Sequence, residues 1–240
     1  MRKEKILRRK IPLLLVLALT FGLLGGLADY FGPAVRVDEN ELHPPVKGSQ
    51  ETACSAPAPT VSAAGAVLIR AQTGEVLFEK DAEKRLYPAS TTKIMTALIV
   101  LETLDRLALG LDSRVVVPAE AAGLEGSSIY LKAGEEIRVE ELLYGMMLQS
   151  GNDAATAAAI CIGGDLQNFV VMMNQKAEEL GCTGTHFTNA SGLFDENHYT
   201  TAKDLAVIAA AAMQREDFRK IVAVPRWESA EPERNFYNKN

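Results

Sequence analysis

A serine and a lysine in the stretch YPASTTKIMTALIV have the types and spacing needed for nucleophilic chemistry. Ser90 and Lys93 are three positions apart, which places them one turn from each other on one face of a helix. A serine hydroxyl is a weak nucleophile at neutral pH and needs a base within hydrogen-bond reach. A lysine serves as that base when burial or nearby positive charge lowers its pKa. The pair therefore indicates a serine nucleophile activated by an amine.

The residues that follow Lys93 predict where this pair lies. From Ile94 to Leu101 the segment is apolar on nearly every helical side, which is typical of a helix inside a protein. Lys93 would then lie at the border of a core, where its ammonium form is disfavoured. Ser-x-x-Lys also occurs by chance, and the alternative interpretation makes Ser90 a helix N-cap and Lys93 a solvated residue of the first turn.

A second polar group, Ser150-Gly151-Asn152, lies between two predicted helices in MLQSGNDAATAAAI. A loop held by a helix at each end is a rigid place from which polar side chains reach a cleft. Ser150 is suited to bind a lysine or relay a proton to a leaving amine, and Asn152 to donate its amide to a substrate carbonyl. The simpler alternative is a turn that caps the following helix.

The elements that must position these residues indicate an α+β fold, with strands at the start and a block of helices after them. Residues 66–70 and 75–79 predict a hairpin around Thr73 and Gly74. Further strands are predicted at 115–117 and from 224 to 228. Helices are predicted from Ser90 onward and at 139–148, 153–162, 165–180, 201–214 and 216–223.

Composition excludes several classes of function. The 240 residues suit one large domain or two small ones, and a net charge of −6 provides no basic footprint for nucleic acid.

The sequence has no glycine-rich phosphate loop and no metal-ligand cluster. His186 and His198 lack the spacing of a helical zinc site and are interpreted as satisfied loop histidines. Cys161 and Cys182 are interpreted as small buried hydrophobic residues, although an exported protein can pair two of its cysteines.

The N-terminus predicts export. Residues 1–10 are strongly basic and residues 11–28 are almost entirely apolar, which is the order of an export signal. An apolar run of about 18 residues is long for a signal core and barely long enough to span a bilayer. Both a cleaved signal and a membrane anchor remain open, and either places the rest of the chain outside the cytoplasm. The proline-rich segment 29–60 predicts a flexible linker, which contains Cys54.

Four stretches together resemble the D-alanyl-D-alanine carboxypeptidases, the low-molecular-mass penicillin-binding proteins. They are AVLIRAQTGEVLFEK, YPASTTKIMTALIVLE, LLYGMMLQSGNDAA and THFTNASGLFDENHYTTAKDLA. The resemblance begins near Ala63 and continues to the end of the chain. It implies a β-lactamase/transpeptidase-like domain over residues 61–240, in which a cluster of helices packs against an antiparallel sheet.

The resemblance also implies roles for the site residues. Ser90 matches the acylated nucleophile and Lys93 its base. Ser150 matches the group that assists proton transfer, and Asn152 the group that holds the substrate amide. The implied reaction removes the terminal D-alanine from the pentapeptide stem of peptidoglycan through an acyl-serine, without a metal or cofactor. β-Lactam antibiotics are expected to acylate the same serine.

The third motif of this family, Lys-Thr-Gly or Lys-Ser-Gly on a strand, does not occur in the sequence. The tripeptides at 132–134 and 182–184 are near misses in the wrong places, and the final ERNFYNKN resembles the segment that precedes the motif. We therefore expect residues 61–240 to be a partial catalytic domain, truncated before that motif, without the C-terminal strands of the sheet. Weak or no release of D-alanine by the 240-residue chain is the corresponding expectation.

Two other functions are compatible with the same residues. A class A β-lactamase shares Ser-x-x-Lys, but its second motif reads Ser-Asp-Asn where this chain has Ser-Gly-Asn. Rapid hydrolysis of penicillin would favour the lactamase, and lasting acylation would favour the peptidase. A catalytically inactive wall-binding fragment is the third hypothesis, motivated by the missing motif.

Overall fold

The computed structural model describes residues 58–230 and 233–239. The predicted export segment 1–28 and Cys54 lie outside the described residues, as does all but the last part of the predicted linker 29–60. Within the described residues no single helix is long and apolar enough to cross a bilayer. The helices Asn152–Gly163 and Leu166–Glu179 reach the necessary length and apolar composition only when they are taken together, and the chain bends by 88° between them.

The described residues form helices and three antiparallel strand pairs, so the α+β prediction is confirmed. Strand β1 (Ala66–Ile69) pairs with β2 (Val76–Lys80), β3 (Arg114–Val116) with β4 (Glu136–Arg138), and β5 (Arg226–Ala230) with β6 (Glu233–Tyr237). The helices are α1 (Thr92–Arg106), α2 (Val139–Gln149), α3 (Asn152–Gly163), α4 (Leu166–Glu179), α5 (Ala202–Gln214) and α6 (Glu216–Ala223).

Helix α1 is the centre of the core. It contacts each of the other five helices of the described chain, which explains why its sequence is apolar on nearly every side. Met95 and Val100 are fully buried, and the residues from Ala97 to Leu101 are at most 3% exposed. The predicted buried helix after Lys93 is confirmed.

Most predicted elements are confirmed, with ends that differ by one or two residues. The exceptions are β4 and β6, which were not predicted. The three residues of β4 are too few to show an alternating pattern. Ile137 of β4 is 1% exposed and pairs with Val115 of β3. The strands form three separate pairs rather than the single antiparallel sheet that was expected, and each described pair joins only two short segments.

The two described cysteines are free thiols in different environments. Cys182 is buried as predicted, and burial together with the nearby Asp204 carboxylate raises the pKa of its thiol to about 12. Cys161 is only partly buried, so the prediction of a buried residue is wrong there. It lies near the outer end of α3, where the helix leaves the core.

Candidate active site

The predicted nucleophile lies in a short turn immediately before α1. Residues Ala89–Thr91 form a single 3₁₀ turn, so Ser90 precedes the α-helix rather than lying in its first turn as predicted. The carbonyl of Pro88 accepts hydrogen bonds from the Thr91 amide at 3.2 Å and from the Thr91 hydroxyl at 2.6 Å. These bonds fix the turn, and Ser90 itself is exposed to solvent, where a substrate can reach it.

The Lys93 ammonium lies directly beneath Ser90. Its side chain is 2% exposed, and its Nζ donates to Ser90 Oγ at 3.3 Å. Two shorter bonds go to Asn152 Oδ1 at 2.8 Å and to the carbonyl of Ser191 at 2.7 Å. An ammonium has three donors, and all three are used by groups from three separate segments. The predicted contact between the hydroxyl and the amine is confirmed.

The environment of Lys93 makes its neutral form more accessible than that of an exposed lysine. Burial lowers the pKa of this amine to about 8, against the opposing effect of the negatively charged Asp153, which raises it. Removing an ammonium from water disfavours its charge, and here this effect exceeds the attraction of the carboxylate. At pH 7 about one amine in ten is therefore neutral and able to accept a proton.

Asn152, the first residue of α3, connects Lys93 to a neighbouring loop. It is 6% exposed, and its amide nitrogen donates to the carbonyl of Glu125 at 2.7 Å. Its backbone N–H donates to the carbonyl of Ser127 at 2.7 Å. A side-chain amide has two donor hydrogens, so one remains for a ligand. The predicted donation from Asn152 to a substrate carbonyl stays a prediction.

Ser150 ends α2 in a left-handed conformation with φ of +59°. It is partly exposed and lies two residues before Asn152. The three bonds of the Lys93 ammonium go to Ser90, Asn152 and Ser191, and not to Ser150. The structure therefore brings three of the site groups together and leaves the Ser150 hydroxyl outside their network, so its role in proton transfer stays a prediction.

Asp153 is a site residue that the sequence reasoning missed. Its carboxylate is fully buried and accepts from the Ser128 hydroxyl at 2.6 Å and from the backbone N–H groups of Ile129 and Leu131 at 3.0 Å each. A carboxylate at the start of an alanine-rich buried helix needs such partners, because an unpaired buried charge is costly. That mismatch between residue type and surroundings is the sequence signal that could have found it.

Ser191 was also missed, because it takes part through its backbone. Its carbonyl accepts from Lys93, and its conformation is set by the side chain of Asn189. The Asn189 Oδ1 atom accepts from the backbone N–H of Ser191 at 3.2 Å, of Gly192 at 2.7 Å and of Leu193 at 3.1 Å. This stretch belongs to the longest of the quoted family matches, which was the only signal for it.

The same stretch is fastened to the start of α1. The Thr96 hydroxyl donates to the carbonyl of Ala190 at 2.7 Å. Gly192 has φ of +86°, and a Cβ atom there would collide with the carbonyl oxygen of Ala89. Only glycine allows this close approach, which places the Ser191 carbonyl beside the turn that contains Ser90.

Both described histidines have hydrogen-bond partners, as predicted. His198 is 1% exposed, and its Nδ1 accepts from the backbone N–H of Thr188 at 3.0 Å. Its Nε2 therefore holds the proton of the neutral ring and donates to the Thr92 hydroxyl at 2.8 Å. The exposed His186 contacts the carbonyl of Asn197 through Nδ1 at 2.6 Å. His198 thus connects the first residue of α1 to the loop opposite.

Acid is expected to destabilise the protein through His198. Burial lowers the pKa of this imidazole from 6.5 to about 4, so between these values the unfolded chain binds a proton that the folded chain does not. The free energy of unfolding should fall by about 3 kcal/mol as pH falls through that window and rise again on neutralisation. Urea unfolding at successive pH values measures it. His198→Gln should flatten the dependence and His186→Gln should keep it; an unchanged slope in His198→Gln would contradict this assignment.

Comparisons with known proteins show to which family the chain belongs. The model of the peptidase S11 family, D-alanyl-D-alanine carboxypeptidase, matches residues 50–240. The D-alanyl-D-alanine carboxypeptidase DacF of Bacillus subtilis is 44% identical over 158 residues, which are 66% of this chain and 41% of that protein. The D-alanyl-D-alanine carboxypeptidase of Streptomyces sp. strain K15 is 36% identical over 68% of this chain and 59% of its own length.

Solved structures show the same fold. Penicillin-binding protein 6B of Escherichia coli has a TM-score of 0.73 and 30% identity, covering 80% of this chain and 62% of that one. The D-alanyl-D-alanine carboxypeptidase of Mycobacterium tuberculosis H37Rv has a TM-score of 0.71 and 35% identity, covering 78% and 70%. The matched part of the chain spans 41% of the length of the Bacillus subtilis relative and 59% of that of the Streptomyces relative. With its family model matched over residues 50–240 and its fold shared with these structures, the chain belongs to the D-alanyl-D-alanine carboxypeptidase family of serine peptidases.

Proposed function

We propose that this chain contains the acylation machinery of a serine-type D-Ala-D-Ala carboxypeptidase. The proposal rests on one observation: the buried Lys93 amine, with a pKa of about 8, lies 3.3 Å from the exposed hydroxyl of Ser90. A nucleophile on the surface with its base in the core beneath it is the arrangement that acyl transfer requires.

The reaction proceeds in two steps at Ser90. Neutral Lys93 takes the hydroxyl proton as Ser90 Oγ attacks the carbonyl of the penultimate D-alanine. The C–N bond then breaks, and the proton passes to the leaving amine of the terminal D-alanine, either from Lys93 or through Ser150. A water molecule hydrolyses the ester and restores the free hydroxyl.

Two groups of the chain stabilise the substrate in this scheme. The free amide hydrogen of Asn152 binds the substrate amide beside the scissile bond. In this scheme the backbone N–H of Ser90, in the turn immediately before α1, donates to the developing oxyanion. A preorganised donor of this kind contributes about 3–4 kcal/mol to the transition state.

The partners follow from the same chemistry, and the location follows from the N-terminal sequence. The substrate is the pentapeptide stem of peptidoglycan, and β-lactams act as acylating inhibitors of Ser90. The export signal or anchor at 1–28 and the linker at 29–60 place the domain at 61–240 outside the cytoplasm. Membrane association depends on whether residues 1–28 are retained.

Release of D-alanine from a pentapeptide ending in D-Ala-D-Ala tests the proposal. We expect slow release above the uncatalysed rate, none from the matched peptide ending in D-Ala-L-Ala, and a lasting penicillin adduct detected by intact mass. Rapid hydrolysis of penicillin without a lasting adduct would instead indicate a β-lactamase. Binding to peptidoglycan with neither release nor adduct would indicate an inactive wall-binding fragment, and either result would overturn the proposal.

A further inference from the structure

Tyr130 has a strained backbone and an exposed side chain. Its φ is +61°, a left-handed value that aromatic residues rarely adopt, and its side chain is 84% exposed. Burial of the ring therefore does not compensate for the strain. Backbone strain of this kind persists only where the surrounding structure enforces it, and it is concentrated at functional sites.

The surrounding structure holds the backbone of Tyr130 from both sides. Its neighbours Ile129 and Leu131 both donate their backbone N–H groups to the buried carboxylate of Asp153. Its own N–H donates to the Ser128 hydroxyl at 2.9 Å. The side chains of Ile129 and Leu131 are 7% and 4% exposed, so they point into the core while the ring between them points outward.

A further contact fixes the same loop from the C-terminal strand pair. The Arg234 guanidinium on β6 donates to the carbonyl of Ile129 at 3.3 Å and binds both carboxylate oxygens of Glu135 at 3.1 Å. The loop is thus anchored to α3 through Asp153 and to β6 through Arg234. The backbone of Tyr130, and therefore the direction in which its side chain leaves the loop, is set by these contacts of its neighbours.

This ring forms one wall of a cavity beside the active-site loops. The cavity has a volume of about 440 Å³, and its lining includes Tyr130, Ser128, Gln149, Asn235 and Phe236. Gln149 directly precedes Ser150, and the Asp153 that anchors the loop directly follows Asn152. The lining also contains the charged residues Lys132, Glu135 and Arg234. Volumes of this size accommodate an organic ligand, and the mixture of aromatic, amide and charged side chains suits a peptide that has charged groups of its own.

We propose that Tyr130 is a specificity-determining residue whose ring binds the part of the stem peptide that precedes D-Ala-D-Ala. This inference rests on the proposed function and adds the subsite that recognises the rest of the substrate. The terminal D-alanines are too small to need a large aromatic wall. The residues before them present longer side chains and peptide groups, which the ring contacts through its face while the side-chain amide of Gln149 offers hydrogen bonds.

Competition against penicillin labelling of Ser90 tests this subsite. In the unmodified chain, a stem pentapeptide should halve the labelling rate at a concentration about tenfold lower than acetyl-D-Ala-D-Ala, because the longer peptide alone reaches Tyr130. In Tyr130→Gly the two peptides should protect at concentrations within about twofold of each other. Tyr130→Phe should keep the advantage of the pentapeptide, since the ring is the contacting group.

A matched control separates the subsite from strain relief alone. Ala108 has φ of +52° and is exposed just beyond α1, so Ala108→Gly relieves comparable strain away from the cleft. Both glycine variants should raise the midpoint of thermal unfolding by about 2 °C, and only Tyr130→Gly should remove the preference for the longer peptide.

The labelling experiment distinguishes failure of the Tyr130 subsite from failure of the proposed function. If penicillin does not label the unmodified chain, the proposed function fails and not the subsite alone. If labelling occurs but both peptides protect equally in the unmodified chain, or Tyr130→Gly keeps the preference, the subsite is refuted. Loss of the preference in Tyr130→Phe would likewise refute binding by the ring.

Discussion

Replacing Ser90 by alanine is expected to abolish covalent labelling of the protein by a fluorescent penicillin. The Ser90 hydroxyl is the one that the buried amine of Lys93 contacts, at 3.3 Å, and no other group can replace a missing nucleophilic oxygen. The labelling rate should fall by at least about a thousandfold, as it does when the nucleophile of a serine peptidase is removed. Band fluorescence on a denaturing gel and the intact mass of the protein measure the adduct.

A second serine variant serves as the control for this experiment. Ser62 is exposed near the start of the described chain, so Ser62→Ala should label at the rate of the unmodified protein. Because Ser90 is exposed, its replacement should leave the unfolding midpoint unchanged, which shows that lost labelling does not reflect lost structure. Labelling that survives in Ser90→Ala would assign the nucleophile to another residue.

The central contact of the site could be predicted from the sequence because it is local. Ser90 and Lys93 are one turn apart, and the apolar run after Lys93 required α1 to be buried. Spacing and burial together predict both the hydrogen bond and the direction of the pKa shift of the amine. The same local reasoning found the β1–β2 hairpin and most helix ends, where a turn residue or a cap marks the boundary.

The other groups around Lys93 come from distant segments. The second motif indicated Asn152, but local spacing could not indicate Ser191 or Asp153. The Ser191 carbonyl lies 98 positions along the chain from Lys93, and every residue has a carbonyl, so the residue type gives no information. Asp153 is identified by its buried position rather than by a motif. The strain at Tyr130 is equally invisible in the sequence, because it is imposed by Asp153 and Arg234 through tertiary contacts.

Ser150 shows the limit of a resemblance without geometry. Its position in the second motif matches a role in proton transfer, and the structure does place it at the end of α2, close in the chain to Asn152. The hydrogen bonds of the Lys93 ammonium nevertheless go to Ser90, Asn152 and Ser191. A proton relay through Ser150 therefore requires the hydroxyl to reach the amine or the leaving group once a substrate is bound, which is a property of the complex.

Lys93→Arg is expected to slow acylation of Ser90 by about 10²–10⁴-fold, the contribution of general base catalysis. The substitution keeps the positive charge but replaces an amine with a pKa of about 8 by a guanidinium that does not lose its proton in proteins. The effect is measured as the rate of adduct formation, from the intact mass of samples quenched at successive times. Lys84→Arg, at an exposed lysine before the Ser90 turn, is the matched control and should acylate at the original rate.

The pH dependence of acylation tests the same assignment without changing a residue. The reactive form of Lys93 is the neutral amine, whose fraction rises with pH, so the rate should increase about tenfold per pH unit well below the pKa and level off above it. Its midpoint should lie near pH 8, the pKa to which burial lowers this amine. This midpoint lies above the window from pH 6.5 to 4 in which His198 affects stability, so rates measured at pH 7 and above report the Lys93 amine without the effect of His198. A rate that is constant from pH 6 to 9, or one that falls with rising pH, would show that Lys93 is not the base.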